Sequence, residues 1–283
     1  LRTLEGISRP AIATTIPHVN GEFVMLDLGA NVDCNTENLI QFAIMGSEFA
    51  KVVLGKTNPK IGILNVGTEQ EKGKVALQEA SEYLQKSYLA KEFLGFVEGN
   101  DISLGKTNVV VTDGFSGNIA LKTAEGTAKM IQTNLRNAFN SSILSRLGYA
   151  LSSQALRTMS DKLDPRVHNC GILMGLNSLV VKCHGNSEYK GVSYAADIMH
   201  SLLSNNVNDK IEDMTLEVKR HVLHMDEVAN VQTMRDGLRF VCTGIEMLNN
   251  RIGLLDLDGW STDVCKDLTK HDANLSRIYR KYW

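Results

Sequence analysis

The sequence predicts an α/β protein in which parallel strands form a layered sheet. From Gly21 to about Gly191, short β-rich runs alternate with longer stretches of helical composition, a pattern typical of this class. Because ligands of open α/β sheets bind beyond the carboxyl ends of the strands, a site is expected at that edge. The candidate strands are Phe23–Leu28, Ile61–Val66, Asn108–Thr112 and Leu179–His184.

The first three candidate strands each end in a loop that contains glycine. In chain order these loops are Gly29–Asn31, Gly67–Glu69 and Asp113–Asn118, and a segment of helical composition follows each one. The fourth strand ends at His184, directly before a glycine. If that strand is also parallel, the imidazole faces the same edge as the three loops.

Composition and charge exclude several classes of protein. The 283 residues are 43% hydrophobic and 22% charged, which fits a globular protein and excludes a collagen-like or wholly disordered chain. No apolar run approaches the ~18 residues of a membrane span. With 30 Lys+Arg against 32 Asp+Glu, the chain lacks the basic excess expected of a protein whose main partner is nucleic acid.

The five cysteines form no C-x-x-C pair, which favours structural thiols in a reducing compartment over a disulfide framework or a zinc site. The chain begins at Leu1 and shows no secretory signal pattern. We therefore expect a cytoplasmic protein whose sequence is incomplete at its start. The cysteines are Cys34, Cys170, Cys183, Cys242 and Cys265.

The segment from Val109 to Lys122 gives the best chemical indication, because a strand, a glycine-rich turn and a helix start follow one another. Glycines allow close backbone approach, and a helix N-terminus presents free N–H groups to an anion. Ser116 is not the nucleophile of an α/β-hydrolase, because Asn118 stands where G-x-S-x-G needs its last glycine. The pattern predicts an anion site, although such a turn is also common as plain architecture.

Two further side chains near strand ends can be interpreted either as functional residues or as ordinary structural ones. Lys72, beyond the second strand, is either a phosphate-neutralising cation or a solvated surface lysine. His184 is either catalytic or a hydrogen-bonded structural histidine. His221 and His224 are spaced like metal ligands, but no third ligand accompanies them, and we expect no metal site.

Between Gly126 and Ser160 there is no Asp or Glu, whereas Lys and Arg are present. Ile143, Leu147 and Leu151 recur every four residues within this stretch, which predicts a helix or helix pair with one apolar face. Such a segment binds a lipid headgroup interface, docks an acidic protein, or packs in a core or dimer interface. Residues 218–283 are unassigned, and their apolar spacing predicts a helical extension.

Several short segments between Leu1 and about Glu217 stand out in combination and in a fixed order. They are Gly6–Ala11, Leu26–Asp33, Gln41–Ser47, Leu64–Gly67, Lys72–Gly73, Thr112–Asn118, Leu121–Thr123 and Lys182–Gly185. Together these segments are highly specific, and they resemble one family, the acyl-carrier-protein:phosphate acyltransferases of bacterial phospholipid synthesis, known as PlsX. Residues 1–217 are accordingly predicted to be a partial phosphate acyltransferase core.

The resemblance implies a three-layer α/β/α sandwich with a mostly parallel sheet, similar to isocitrate and isopropylmalate dehydrogenases and to phosphotransacetylases. It implies transfer of a fatty acyl group from acyl carrier protein to inorganic phosphate, giving acyl phosphate for phosphatidic acid and phospholipid synthesis. It also implies a homodimer that associates peripherally with the membrane and uses no cofactor. Family members begin with a further N-terminal stretch, which carries part of the active-site edge and is missing here.

The resemblance also assigns roles to single residues. Lys72 and Asn118 are the leading catalytic candidates, the lysine holding phosphate or the developing oxyanion and the amide donating to it. A projecting amphipathic helical hairpin, the membrane hook of the family, corresponds to residues 126–164, with Ile143, Leu147 and Leu151 as its lipid contacts. The further residues expected to bind phosphate or line the site are Asn31, Asp113, Gly114, Gly117, Lys122 and His184.

Two alternatives remain beside this function. The first alternative is a phosphotransacetylase-like acyl-CoA:phosphate transferase. The second is a catalytically silent module for membrane docking or dimerisation, because the N-terminal part of the family is missing. A nicotinamide-dependent dehydrogenase is disfavoured, because no G-x-G-x-x-G follows the first predicted strand.

Overall fold

The computed structural model describes residues 1–162, 170–183 and 189–217, which form one seven-stranded sheet with its helices. The strands are β1 Ala11–His18, β2 Gly21–Leu26, β3 Ile61–Leu64, β4 Phe93–Val97, β5 Val109–Val111, β6 Cys170–Met174 and β7 Val180–Cys183. The helices are α1 Thr36–Val53, α2 Val75–Lys86, α3 Gly99–Leu104, α4 Gly114–Asn140, α5 Ile143–Lys162 and α6 Tyr189–Ser204. A short 3₁₀ turn spans Tyr88–Lys91, and residues 207–217 are also helical.

The strand order β4-β3-β5-β2-β1-β6-β7 gives a mixed sheet. The first four strands in this order are mutually parallel, and the remaining neighbours pair antiparallel. Five of the seven strands therefore point in one direction, and the prediction of a mostly parallel sheet is confirmed. The strands β1, β4 and β6 were not predicted.

Two separate apolar cores show that helices cover both faces of the sheet. Val24 and Leu26 of β2 belong to the larger core, whereas Phe23 and Met25 belong to the smaller one, because alternate side chains of a strand point to opposite faces. Helices α1, α2 and α6 supply the larger core, and α3 and α4 cover the other face. The three-layer α/β/α arrangement is confirmed.

The orientation of β7 corrects one expectation. β7 pairs antiparallel with β6, so its carboxyl end at Cys183 lies at the sheet edge opposite to the ends of β2, β3 and β5. The parallel orientation on which His184 depended is therefore wrong. His184 itself lies outside the described residues.

The cysteines require a second correction. The antiparallel register sets Cys170 directly opposite Cys183, with their Cα atoms 4.1 Å apart, and the two form a disulfide. The prediction of structural thiols is wrong for this pair, because sequence spacing gave no hint that the two strands were neighbours. Cys34 is a free thiol, and Cys242 and Cys265 lie outside the described residues.

A buried carboxylate fixes the loop that follows β2. Asp27 is 0% exposed, and its two oxygens accept hydrogen bonds from the backbone N–H groups of Ile12, Gly29, Ala30 and Asn31 at 2.7–3.2 Å. The Asn31 side-chain amide donates a further bond at 2.9 Å. These bonds wrap the chain around the carboxylate and place the loop at the end of the sheet.

Helices α4 and α5 form the predicted hairpin. Within α4 only Gly114 and Gly117 are buried, and Ala120 and Leu121 pack partly buried against the smaller core, so the later turns of α4 and its partner α5 extend away from the sheet. Ile143, Leu147 and Leu151 are 81%, 58% and 90% exposed. No helix within the described ranges combines the length and apolar character needed to cross a bilayer.

A groove of about 440 Å³ lies between the two hairpin helices. The rings of Phe139 and Tyr149 meet edge to face at a centroid distance of 5.4 Å and join the two helices. Apolar and cationic side chains both line the groove, among them Leu135, Phe139, Tyr149, Arg136, Arg146 and Arg157.

The Asp27 cradle gives a stability prediction. Asp27→Asn should lower the free energy of unfolding by about 3 kcal/mol, because hydrogen bonds to a charged acceptor are lost and an NH₂ group then faces N–H donors. Urea denaturation measures the change. Glu82→Gln, which breaks only an exposed ion pair with Lys86 on α2, serves as the control and should leave the unfolding curve unchanged. Equal stability of Asp27→Asn and wild type would contradict the role given to Asp27.

Two glycines of α4 give a second prediction. A Cβ atom on Gly117 would lie 2.0 Å from the Asp27 carbonyl oxygen, whereas one on Gly126 would meet nothing within 4 Å. Gly117→Ala should therefore destabilise the protein by about 3 kcal/mol through overpacking. Gly126→Ala should instead stabilise it by about 0.5–1 kcal/mol, since alanine is the better helix former. Thermal and urea unfolding of both variants test this, and similar curves would show that α4 does not pack on β2 as described.

Candidate active site

Three loops meet at one edge of the sheet. They follow β2, β3 and β5, which are neighbours in the order β3-β5-β2 and run parallel. Each loop leads into a helix, and those helices are α1, α2 and α4. The predicted gathering of the three glycine-containing loops at the carboxyl edge is confirmed.

The loops after β2 and β5 are in direct contact. The Gly114 N–H donates to the Asn31 carbonyl oxygen at 2.7 Å. A Cβ atom on Gly114 would lie 2.5 Å from that same oxygen, so only glycine fits here. Gly114 and Gly117 are thus explained by close backbone packing, and phosphate binding by either residue remains a prediction.

The loop after β3 joins this pair through Lys74, which the sequence reasoning missed. The Lys74 Nζ lies 3.2 Å from Asp113 Oδ2 and 3.7 Å from Asp33 Oδ1. Asp113 follows β5 and Asp33 follows β2, so one ammonium group contacts the other two loops. The indication in the sequence was weak, because Lys74 is one of two lysines separated only by Gly73.

Asp113 caps α4 and forms an ion pair with Lys74. Its side chain accepts a hydrogen bond from the Ser116 N–H at 2.7 Å. Burial alone would raise the pKa of Asp113, but the bonds from Ser116 and the Lys74 ammonium outweigh it and hold this pKa below its usual value. The same contact with Asp113 raises the pKa of Lys74. At neutral pH the pair is therefore ionised on both sides.

Lys72 keeps its contacts within its own loop. Its ammonium lies 2.8 Å from Glu69 Oε1, and this hydrogen bond raises the pKa of Lys72. Its carbonyl oxygen accepts a bond from the Asn65 side-chain amide at 2.9 Å, which fixes the loop backbone. The side chain is 51% exposed, so the ammonium can exchange Glu69 for another anion at little cost.

Asn118 and Lys122 lie one turn apart on α4, on the same face of the helix. Asn118 is exposed and packs beside the β2 loop, because a Cβ atom on Gly29 would lie 3.6 Å from the Asn118 Cβ. Lys122 pairs with Glu125 at 2.7 Å. The predicted catalytic amide therefore adjoins the loop that also carries Asn31.

Asn31 and Cys34 have structural surroundings. The Asn31 amide donates to the Pro10 carbonyl at 2.8 Å and to Asp27, so its hydrogens are already used. Burial, followed by the nearby charge of Asp27, raises the pKa of the Cys34 thiol to about 11. Cys34 is consequently protonated at neutral pH and unsuited to act as a thiolate nucleophile.

The structure thus brings together Asn31, Asp113, Gly114 and Asn118 and adds Lys74 and Asp33 to them. Lys72 belongs to the same edge through its loop, but its side chain contacts Glu69 rather than the other two loops. His184 lies outside the described residues. The catalytic roles of Lys72 and Asn118 remain predictions.

Comparison with known proteins gives the same family as the sequence motifs. The profile of the family described as fatty acid synthesis protein matches residues 1–210. A second profile, of a family of unknown function, matches residues 196–283. Three relatives are called phosphate acyltransferase, and they come from Granulibacter bethesdensis, Rhodospirillum centenum and Rhodospirillum rubrum, with 53%, 49% and 49% identity.

These matches are partial in length. They cover 75–77% of this chain but 58–63% of the three relatives, so the chain spans about three fifths of the length of the curated relatives it matches.

Among solved structures, a phosphotransacetylase from Streptococcus pyogenes and EutD phosphotransacetylase from Staphylococcus aureus share 24% and 20% identity with the chain. Each has a TM-score of 0.38, with 45% of this chain and 44% of the other covered.

The family assignment rests on the profile match, which covers well over half of the chain and includes all three loops at the carboxyl edge. The chain therefore belongs to the fatty acid synthesis protein family, the family of the phosphate acyltransferases.

Proposed function

We propose that this chain carries the phosphate-binding edge of an acyltransferase that moves a fatty acyl group from acyl carrier protein to inorganic phosphate. The observation that carries the proposal is the contact among three glycine-containing loops at neighbouring parallel strand ends, in a chain of the phosphate acyltransferase family. The product, acyl phosphate, then serves phosphatidic acid and phospholipid synthesis.

The chemistry needs positioning more than covalent catalysis. Phosphate is already an anionic nucleophile, so one of its oxygens attacks the thioester carbonyl carbon without help from a serine or cysteine. The new C–O bond forms a tetrahedral intermediate, and its collapse breaks the C–S bond. The carrier thiolate leaves and takes a proton from water. The protonated state of Cys34 is consistent with this route, since no thiolate is required.

Lys72 and Asn118 have the leading roles in this proposal. The Lys72 ammonium exchanges Glu69 for phosphate or for the oxyanion of the intermediate, and the Asn118 amide donates to the same oxygen. Asn31, Asp113 and Lys122 border the site, and His184 is left out of it, because β7 ends at the opposite edge of the sheet. Besides allowing close backbone packing, Gly114 and Gly117 are expected to let phosphate approach the backbone.

The α4–α5 hairpin supports peripheral membrane binding. Its exposed Ile143, Leu147 and Leu151 stand on a segment without acidic residues from 126 to 160, which suits an anionic lipid surface. We also propose a homodimer, which sedimentation of the purified chain would report as twice the monomer mass.

Donor competition tests the reaction. Purified chain is incubated with radiolabelled phosphate and with palmitoyl-acyl carrier protein or palmitoyl-CoA, and labelled acyl phosphate is extracted and counted. We expect label in the product only with the carrier-protein donor. Label only with the CoA donor would favour a phosphotransacetylase-like enzyme. No label, together with intact vesicle binding, would favour the silent module.

Lys72→Ala should lower kcat/KM for phosphate by about 100-fold, the scale of losing one group that stabilises an oxyanion. Its melting temperature should stay unchanged, because Lys72 is exposed and its ion pair is local. Lys86→Ala is the matched control, since Lys86 is also 51% exposed and pairs with a glutamate of its own helix. Wild-type kinetics in Lys72→Ala would remove this residue from the mechanism.

Changing Ile143, Leu147 and Leu151 together to Gln should weaken binding to phosphatidylglycerol vesicles by about 100-fold or more, because apolar side chains are withdrawn from the lipid interface. Vesicle co-sedimentation measures the loss. The control changes three exposed apolar residues outside the hairpin to Gln, namely Val19, Leu94 and Leu104. Equal co-sedimentation of the hairpin variant and wild type would exclude these residues as lipid contacts.

A further inference from the structure

Lys74 holds a position that no other described lysine shares. Its ammonium contacts Asp113 at 3.2 Å and Asp33 at 3.7 Å, and it stands at the N-cap of α2, so it touches the loops after β2 and β5 while belonging to the loop after β3. By contrast, Lys72 pairs with Glu69 three residues earlier, and Lys122 with Glu125 three residues later. Those two pairs are local, whereas the Lys74 pairs join separate loops.

Stability does not explain this arrangement. The Lys74 side chain is 65% exposed and the Asp33 side chain 90% exposed, and ion pairs this accessible to water contribute little to the free energy of unfolding. Asp113 is much less accessible to water than these two side chains, because its own side chain is only 11% exposed. Its charge is held against burial at the first turn of α4, beside Gly114 and Asn31.

The charge of Asp113 conflicts with the proposed substrate. A phosphate anion brought to the edge formed by these loops meets the Asp113 carboxylate at short range, and like charges repel strongly where water is partly excluded. Asp33 adds a second negative charge. The ammonium of Lys74 is the group that lies against both.

We propose that Lys74 is a positioning residue that neutralises Asp113 and Asp33, so that inorganic phosphate can enter the edge where the three loops meet. The inference rests on the proposed function and adds the residue whose positive charge reduces the repulsion between the two carboxylates and an anion. Lys72 then binds the phosphate or oxyanion, and Lys74 acts through the carboxylates.

Several charged or titratable groups surround Asp113, and each of them could affect its charge. Lys74 approaches from the β3 loop, and Asp33 and the Cys34 thiol approach from the β2 loop. Asp27 and Arg9 act on the same thiol. Cys34 is protonated at neutral pH, so Lys74 is the cation that makes a described ion pair with Asp113.

Phosphate binding to the whole chain, measured by isothermal titration calorimetry, tests the proposal. Lys74→Gln should weaken binding by about tenfold or more, because the carboxylate charges are no longer offset. Lys74→Arg should bind like wild type, since it keeps the charge. Lys86→Gln is the matched control and should have no effect.

The double variant Lys74→Gln/Asp113→Asn separates neutralisation from mere architecture. Asparagine caps helices as well as aspartate does, so the α4 N-terminus stays formed while its charge is removed. The double variant should recover most of the affinity that Lys74→Gln loses. A purely structural role for Lys74 predicts no recovery.

Titration of the Asp113 carboxyl by NMR, without phosphate, gives a second readout. In wild type Lys74 helps to keep the pKa of Asp113 low, so Lys74→Gln should move this pKa upward. A structural role alone would leave it in place.

The outcomes separate the two proposals. Phosphate binding by wild type that is unchanged in Lys74→Gln, or an Asp113 pKa that does not rise, overturns the role of Lys74 and leaves the proposed function standing. Failure of the double variant to recover affinity overturns neutralisation. Absence of phosphate binding in wild type overturns the proposed function and this inference with it.

Discussion

The carboxylate of Asp27 is the interaction on which the candidate site depends. It is fully buried, and its oxygens are satisfied by four backbone N–H groups and one side-chain amide, which come from the loop after β2 and from β1. A buried charge persists only when it is hydrogen-bonded in this way, so the loop has little freedom to choose another path. The position of Asn31 follows, and with it the surface against which α4 begins.

Close backbone packing then attaches α4 to this loop. Gly117 faces the Asp27 carbonyl, and Gly114 faces the Asn31 carbonyl, at separations that leave no room for a Cβ atom. The long helix α4 therefore starts at a defined point and carries Asn118 to the β2 loop. Beyond these two glycines α4 has no buried residue, so one helix serves both the sheet edge and the exposed hairpin.

Charge at the edge is balanced rather than uniformly positive. Lys72, Lys74 and Lys122 each contact at least one carboxylate, and these lysines occupy two of the loop–helix units. Under the proposed function, an anion would displace a carboxylate from one of these lysines, and repulsion from the remaining carboxylates would oppose its binding. Lys74, which lies outside the predicted catalytic pair, is the lysine at this edge that contacts carboxylates of two other loops.

The sequence by itself determined the α/β class, the three loops at strand ends, the exposed helical hairpin and the family, because these depend on local periodicity, on glycine positions and on ordered motifs. Only the tertiary structure decided that β7 is antiparallel, that Cys170 faces Cys183 and that Lys74 reaches Asp113. These features join residues 13 or 39 positions apart along the chain. The physical reason is that strand direction and side-chain partners are set by packing among distant segments, whereas a local pattern records only how each segment alternates between core and solvent.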